Sequence, residues 1–206
     1  MTFAEAHERL DIIIDKHDLP WFEPEEKDVF LQFAQNEFVK SRYAEFEVNE
    51  KRRQDLRTLI ITSVGSGASV AVPADMLFVL SLKGTFSITK CGVTSNRETF
   101  IRPVQHDDVN KIKEDPFNKP NNENPVYVSL AASLSIESDS SPSAWTLTYL
   151  REPVTVNGSA LPNNTFDLPV HTHEEIINIA VRKMLFSIDK ETYQSVSYTH
   201  LTLPTN

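Results

Sequence analysis

His171 and His173 stand two residues apart and run directly into Glu174 and Glu175. On a strand both imidazoles would face one side and could share a metal; at a helix start they diverge. No cysteine or further histidine is near in sequence, so a solvated helix entrance is the better account. His106-Asp107-Asp108 is a second acidic histidine cluster, explained by aspartate capping of a following helix. A small metal-dependent enzyme would need His106, Asp108 and His173 to converge from far apart. Cys91 has no sequence neighbour to lower its pKa and reads as a small half-buried thiol. Gly65-Ser66-Gly67 lacks the third glycine of a dinucleotide loop and the Lys-Ser/Thr of a phosphate loop, so it reads as a hairpin turn. No serine sits in Gly-x-Ser-x-Gly. Glu25-Glu26 and Glu174-Glu175 fall in helix first turns, where the macrodipole accounts for them. Asn157-Gly158-Ser159 matches a glycosylation acceptor, which means nothing without secretion. The expectation is no catalytic residue, no metal and no cofactor.

The residues that remain suit contacts better than chemistry. Lys51, Arg52 and Arg53 lie among Glu47, Glu50 and Asp55, a pattern for a solvated face or a salt-bridged subunit contact, not a DNA groove. Trp21 and Phe22 fall between two helices, where they either seal the hairpin or anchor a partner. Phe117 opens a polar loop. These six are the candidate interface residues.

The elements that would carry them follow from periodicity. Thr2 and Glu5 form a capping box, and Phe3, Ala6, Leu10, Ile13 and Ile14 repeat at helical spacing to about Lys16. Asp18-Leu19-Pro20 stops that helix. Pro24 opens a second one, with Glu25, Glu26 and Asp28 at its positive end; Phe30, Phe33, Ala34 and Phe38 line one side, and it runs to about Phe46. Short β runs are expected at Leu59–Ile61 and Val70–Val72. From Met76 the even positions are apolar to Ile88, with Gly84 where a strand bends or bulges. Further strands are predicted at Phe100–Val104, Val126–Leu130, Leu134–Ile136 and Trp145–Leu150. A short helix fits between Asp107-Asp108 and Asp115-Pro116, and Asn118 to Pro125 is a polar loop. Ser138 to Ser143 is a turn or mobile loop. Thr172 and Glu175 form a last capping box, opening a helix with Ile176, Ile177, Ile179, Ala180, Met184 and Leu185.

The fold class is therefore α+β: an N-terminal αα-hairpin, a central mostly antiparallel β region with a short inserted helix, and a C-terminal helix. The expected segments are 1–57, 58–168 and 169–195. Residues 196–206 read as one frame of a transposase sequencing adapter, not as native protein. This places the origin of the sequence in assembled sequencing reads and leaves the natural C-terminus open.

A net charge of -9 and a pI near 5.1 argue against a surface for sequence-specific nucleic acid, which needs clustered cations. No run is long and apolar enough for a bilayer, and Met1–Glu5 lacks the basic and apolar regions of a signal peptide. One cysteine excludes an internal disulfide and fits a reducing compartment.

A series of short stretches resembles structural proteins of crAss-like phages and related prophages of gut Bacteroidota. They are Trp21-Phe22-Glu23-Pro24-Glu25-Glu26, Arg53 to Ile60, Pro73-Ala74-Asp75-Met76-Leu77, Arg102 to Asp108, Asp115 to Pro120, Tyr149 to Pro153 and Phe166-Asp167-Leu168-Pro169. Their order matches, and they span most of residues 1–195. The resemblance implies a virion protein without catalysis, a head–tail connector or ring subunit between portal and tail, made in the bacterial host's cytoplasm. Its implied partners are copies of itself, in a number matching a twelve-fold portal, together with portal, tail or other connector proteins. Such rings use heterologous interfaces, and the loops 117–125 and 138–143 and the helical hairpin are candidate reaching elements. A monomeric accessory binding module and the small enzyme are the competing readings.

Overall fold

The computed structural model describes residues 1–16, 22–46 and 50–188, without the side chains at 16, 50–52 and 188. The chain forms two units, one from residues 1–59 with the segment that starts at Pro153, the other from Ile60–Glu152. The adapter-like segment lies outside the described residues.

In the first unit α1 (Phe3–Lys16), α2 (Pro24–Ala44) and α5 (His173–Ile188) are the long helices. The Thr2–Glu5 capping box forms: each backbone N–H donates to the other side chain, at 3.0 and 3.2 Å. Phe3, Ala6, Leu10 and Ile14 make the buried stripe of α1, as the spacing predicts. Pro24 is the first residue of α2, and Glu26 accepts the Glu23 N–H at 3.0 Å. The buried face of α2 differs from the expected one. It holds Leu31, Ala34, Gln35, Phe38, Val39 and Arg42, while Phe33 is 59% exposed. Both α1 and α2 pack on α5, which buries Ile176, Ile177, Ala180, Met184 and Leu185. The charged stretch contains a short helix, α3 (Glu50–Asp55), followed by a 3-10 turn at Arg57–Leu59.

The Thr172–Glu175 capping box does not form. A 3-10 turn at Val170–Thr172 precedes α5, and the Thr172 hydroxyl donates to the Pro169 carbonyl at 2.8 Å. With that hydroxyl engaged backward and Thr172 buried, Glu175 turns to Arg42 instead.

The second unit is a sandwich of two four-stranded sheets. One has the order β1-β8-β3-β4, from Ile60–Gly65, Ala144–Arg151, Met76–Lys90 and Val93–Phe100; the other is β2-β7-β6-β5, from Ser69–Ala71, Ser133–Glu137, Val126–Ser129 and Arg102–Pro103. All pairings are antiparallel except β5 with β6. Between the sheets, Leu82, Phe86, Trp145 and Leu147 meet Val70, Tyr127, Leu134 and Ile136. The helix α4 (Val109–Glu114) stands where the sequence places it, between β5 and β6.

Three expectations change here. Gly65-Ser66-Gly67 is not a hairpin turn: β1 and β2 belong to different sheets, and this stretch carries the chain across. Gly84 is not the bulge. The register shifts lie earlier in β3, between Met76 and Phe78 and between Val79 and Ser81. Gly84 is instead a close approach, since a Cβ there would sit 2.7 Å from the Phe86 ring. Cys91 is exposed, not half-buried. With φ of 51° at Cys91 and 80° at Gly92, the two residues make the tight turn that joins β3 to β4, both central positions left-handed as a type I′ turn demands.

Candidate assembly interface

The structure scatters the candidate residues. Phe22 is half-buried and stands edge-on to Phe30, ring centroids 5.7 Å apart, the geometry that aromatic quadrupoles favour. Trp21 lies outside the described residues. Lys51 and Arg52 are in α3, with side chains outside the described set. Arg53 lays its guanidinium 5.3 Å from the centre of the Phe46 ring. Phe117, in the β unit, is 94% exposed. Its presentation is built: Asp115 accepts the Phe117 N–H at 2.9 Å and the Asn118 side-chain amide at 2.6 Å. Those bonds to Asn118 and Phe117 hold the Asp115 carboxyl below its usual range.

Beside Phe30, an apolar groove runs between α2 and α5 in the helical unit. It encloses about 940 Å³ and is lined by Phe33, Lys40, Lys183 and Phe186, among others. Phe33 is 59% and Phe186 54% exposed, and Lys183 reaches across to Glu37 at 2.5 Å. Exposed aromatics gathered at one groove are a common mark of contact surfaces. Assigning Phe33 to the core from helical spacing hid this groove from the sequence reading.

Next to α3, polar side chains of three helices pair with one another. Arg42 extends from α2 over the Phe38 ring at 4.7 Å. It pairs with Asp55 of α3 at 3.1 Å and with Glu175 of α5. Asp55 also meets His171 at 2.9 Å. His173 turns the other way and is buried, Nε2 donating to the Leu168 carbonyl at 2.8 Å. The entrance to α5 is therefore solvated at His171, Glu174 and Glu175 and buried at Thr172 and His173. His171 and His173 are spent on different partners, and no group of three His, Cys, Asp or Glu side chains among the described residues could hold a metal.

Burial, outweighing the hydrogen bond to Leu168, lowers the His173 pKa, and the positive charges of the N-terminus and Arg9 and the nearby His171 add to this. Nδ1 has no partner among the described residues, so a proton there would be a buried orphan donor. The unfolded imidazole gains its proton near pH 6.5, and the folded one only at lower pH. Stability is therefore expected to fall as pH drops below about 6.5. His173→Gln, which keeps a donor for Leu168, should flatten that part of a pH series of urea midpoints.

The two loops expected to reach outward are tied to each other. Asn122 donates to the Ser87 carbonyl at 2.9 Å and to Ser140 Oγ at 3.0 Å, and accepts the Ser140 N–H at 3.1 Å. Lys90 pairs with Glu123 at 2.7 Å.

One buried carboxylate of the helical unit has a role that its local sequence does not show. Asp28, assigned to the helix dipole, is buried in α2. It accepts the N–H groups of Gly158 and Ser159 at 2.8 and 3.0 Å and meets His7 of α1 at 2.9 Å. Asn157-Gly158-Ser159 is thus an anchored turn. Gln35 and Gln32 continue the same seam, bonding to the Val154 carbonyl and the Val156 N–H at 2.8 Å each.

No described helix is long and apolar enough to cross a membrane. No curated protein matches the chain. A family model described as phage tail ring protein 3/4, of the crAss-like phage type, matches residues 1–196.

Proposed function

The chain belongs to the phage tail ring protein 3/4 family, and from that premise we propose that it is a structural subunit of a connector ring lying between portal and tail. The observation that carries this reading is a family match covering both units of the fold. Copies of the chain surround a common axis, and the ring bears on the portal and on other tail or connector proteins. Its role in the virion is mechanical and involves no catalysis. The subunit is made in the cytoplasm of the bacterial host.

Contact surfaces are expected where apolar side chains are presented to solvent by fixed backbone. Phe117 on its aspartate-braced loop and the Phe33 groove meet that description. Trp21, Phe22, Lys51, Arg52 and Arg53 complete the proposed set, with Phe22 and Arg53 acting through the aromatic rings they already touch.

Electron microscopy of the purified chain, alone and mixed with the portal of the same phage, tests the reading. Annular particles are the expected result. A chain that stays monomeric at high concentration and ignores portal would overturn it and favour a monomeric accessory module.

A further inference from the structure

The two sheets of the β unit end differently. In one, the edge strands β2 and β5 are three and two residues long, and β5 ends in Pro103. Short edges and prolines are the usual protection against unwanted strand pairing. The other sheet ends in β1, six residues, and β4, eight residues. Neither contains a proline or a lysine, and neither shows a register shift against its neighbour. Among the described residues no strand pairs with the outer edge of either.

Hairpin geometry fixes which backbone groups those edges present. Across the two-residue turn, Lys90 and Val93 are a hydrogen-bonded pair. Bonding alternates along an antiparallel ladder, so Val93, Ser95, Arg97 and Thr99 bond to β3. Thr94, Asn96 and Glu98 point their N–H and C=O groups away from the sheet. Carrying the alternation through β3 and β8 by their pairings, Lys83 with Thr146 and Leu147 with Ser63, leaves Ile60, Thr62 and Val64 of β1 pointing outward. The side chains agree. Those of Thr94, Asn96 and Glu98 lie on the sheet face opposite the core, because their odd-numbered neighbours oppose the buried Phe86 and Ile88. Ile60, Thr62 and Val64 lie on that same face. The two edges also run in opposite directions, since the strands alternate from β1 to β4.

Direction, outward backbone groups and facing side all match between the two edges of one sheet. We infer that β4 of one subunit takes β1 of the next as an added antiparallel strand, so that the sheet continues from copy to copy. A second copy is the occupant because a head-to-tail join of two different edges is the kind that closes a ring. The inference rests on the ring reading above. The register that pairs Asn96 with Thr62 brings all three outward residues of each edge into bonding; slips of two residues preserve the facing side, and slips of one reverse it.

The test uses disulfide trapping in the full chain carrying Cys91→Ser. Hydrogen-bonded antiparallel pairs hold their Cα atoms about 5.5 Å apart, within disulfide reach. Under mild oxidation, Thr62→Cys combined with Asn96→Cys should give a ladder of covalent multimers, at least tenfold above either single variant. Thr62→Cys with Thr94→Cys or Glu98→Cys covers the two-residue slips. Rings seen by microscopy with no ladder from any of the three combinations would overturn the strand inference and leave the ring reading standing. Dimers from Asn96→Cys alone would overturn it in favour of a two-fold β4 contact. If the unaltered chain forms no rings with or without portal, the ring reading fails and the inference falls with it. Asn96→Pro gives a second line: its N–H points outward, so no bond within the subunit is lost. It should keep the far-UV circular dichroism of the parent and form at least tenfold fewer rings; undiminished rings would overturn the inference.

Discussion

Asp28→Ala should lower the unfolding free energy of the helical unit by about 3–5 kcal/mol, the cost of removing one member of a buried, bonded charge site. The carboxylate is 10% exposed and its partner His7 14%. Truncation strands the N–H groups of Gly158 and Ser159 and the His7 ring together. The turn also has no slack to move toward the truncated side chain: a Cβ at Gly158 would already lie 2.9 Å from His7. Urea denaturation followed at the helical circular dichroism signal measures the effect, and a loss under 1 kcal/mol would mean the turn is held by something else.

The same carboxylate sets a pH dependence with a definite sign. Burial pushes its pKa up, but the Ser159 and Gly158 N–H groups, the Ser159 hydroxyl and His7 outweigh burial and hold it below the ordinary 3.8. A lowered folded pKa gives stability that is complete above the unfolded value and lost as pH falls through the folded one. Asp28→Asn keeps the shape and abolishes the titration, so the stability gap between it and the parent should narrow on acidification below about pH 4. A gap that stays constant from neutral pH to pH 3 would count against the charge as the cause.

Asp28 also shows what a sequence withholds. Its place near the start of α2 suits a dipole charge, and the partners that define its role lie 130 and 131 residues further along. The Arg42–Glu175 pair is separated by 133. Local patterns carried α1, whose capping box and buried stripe are both written within five or fewer residues at a time. They carried the strands around Leu82–Ile88 and Trp145–Tyr149, where one face is apolar. They did not carry β4: Val93-Thr94-Ser95-Asn96-Arg97-Glu98-Thr99 has no apolar alternation because both of its faces are largely exposed. The only local hint of that strand is Cys91-Gly92, a turn pair following a long strand. The buried face of α2 misled for the opposite reason. Lys27, Asp28, Gln35 and Arg42 are buried there, so following the phenylalanines turns the helix toward Phe33 and away from its packed side. That Phe33 faces solvent was not legible, because it depends on the rotation of α2 about its axis.

The β unit should be as sensitive at one indole as the helical unit is at one carboxylate. Trp145 of β8 lies between two glycines on neighbouring strands, Gly65 on β1 and Gly84 on β3. A Cβ at Gly65 would stand 2.2 Å from the indole carbon Cζ2 and 2.7 Å from two more. The glycine is therefore space for the ring, and the ring fills the sandwich that the glycine leaves. Trp145→Ala is expected to cost about 3–5 kcal/mol through the cavity and lost burial. Gly65→Ala should cost about 1–3 kcal/mol by overpacking. The decisive measurement is the double variant. If the indole is what excludes a side chain at 65, Gly65→Ala becomes nearly neutral once Trp145 is alanine, a coupling of about 1–3 kcal/mol between residues in contact. Equal costs of Gly65→Ala in both backgrounds, by urea midpoints read at the β signal, would place its effect in the backbone and not in the ring.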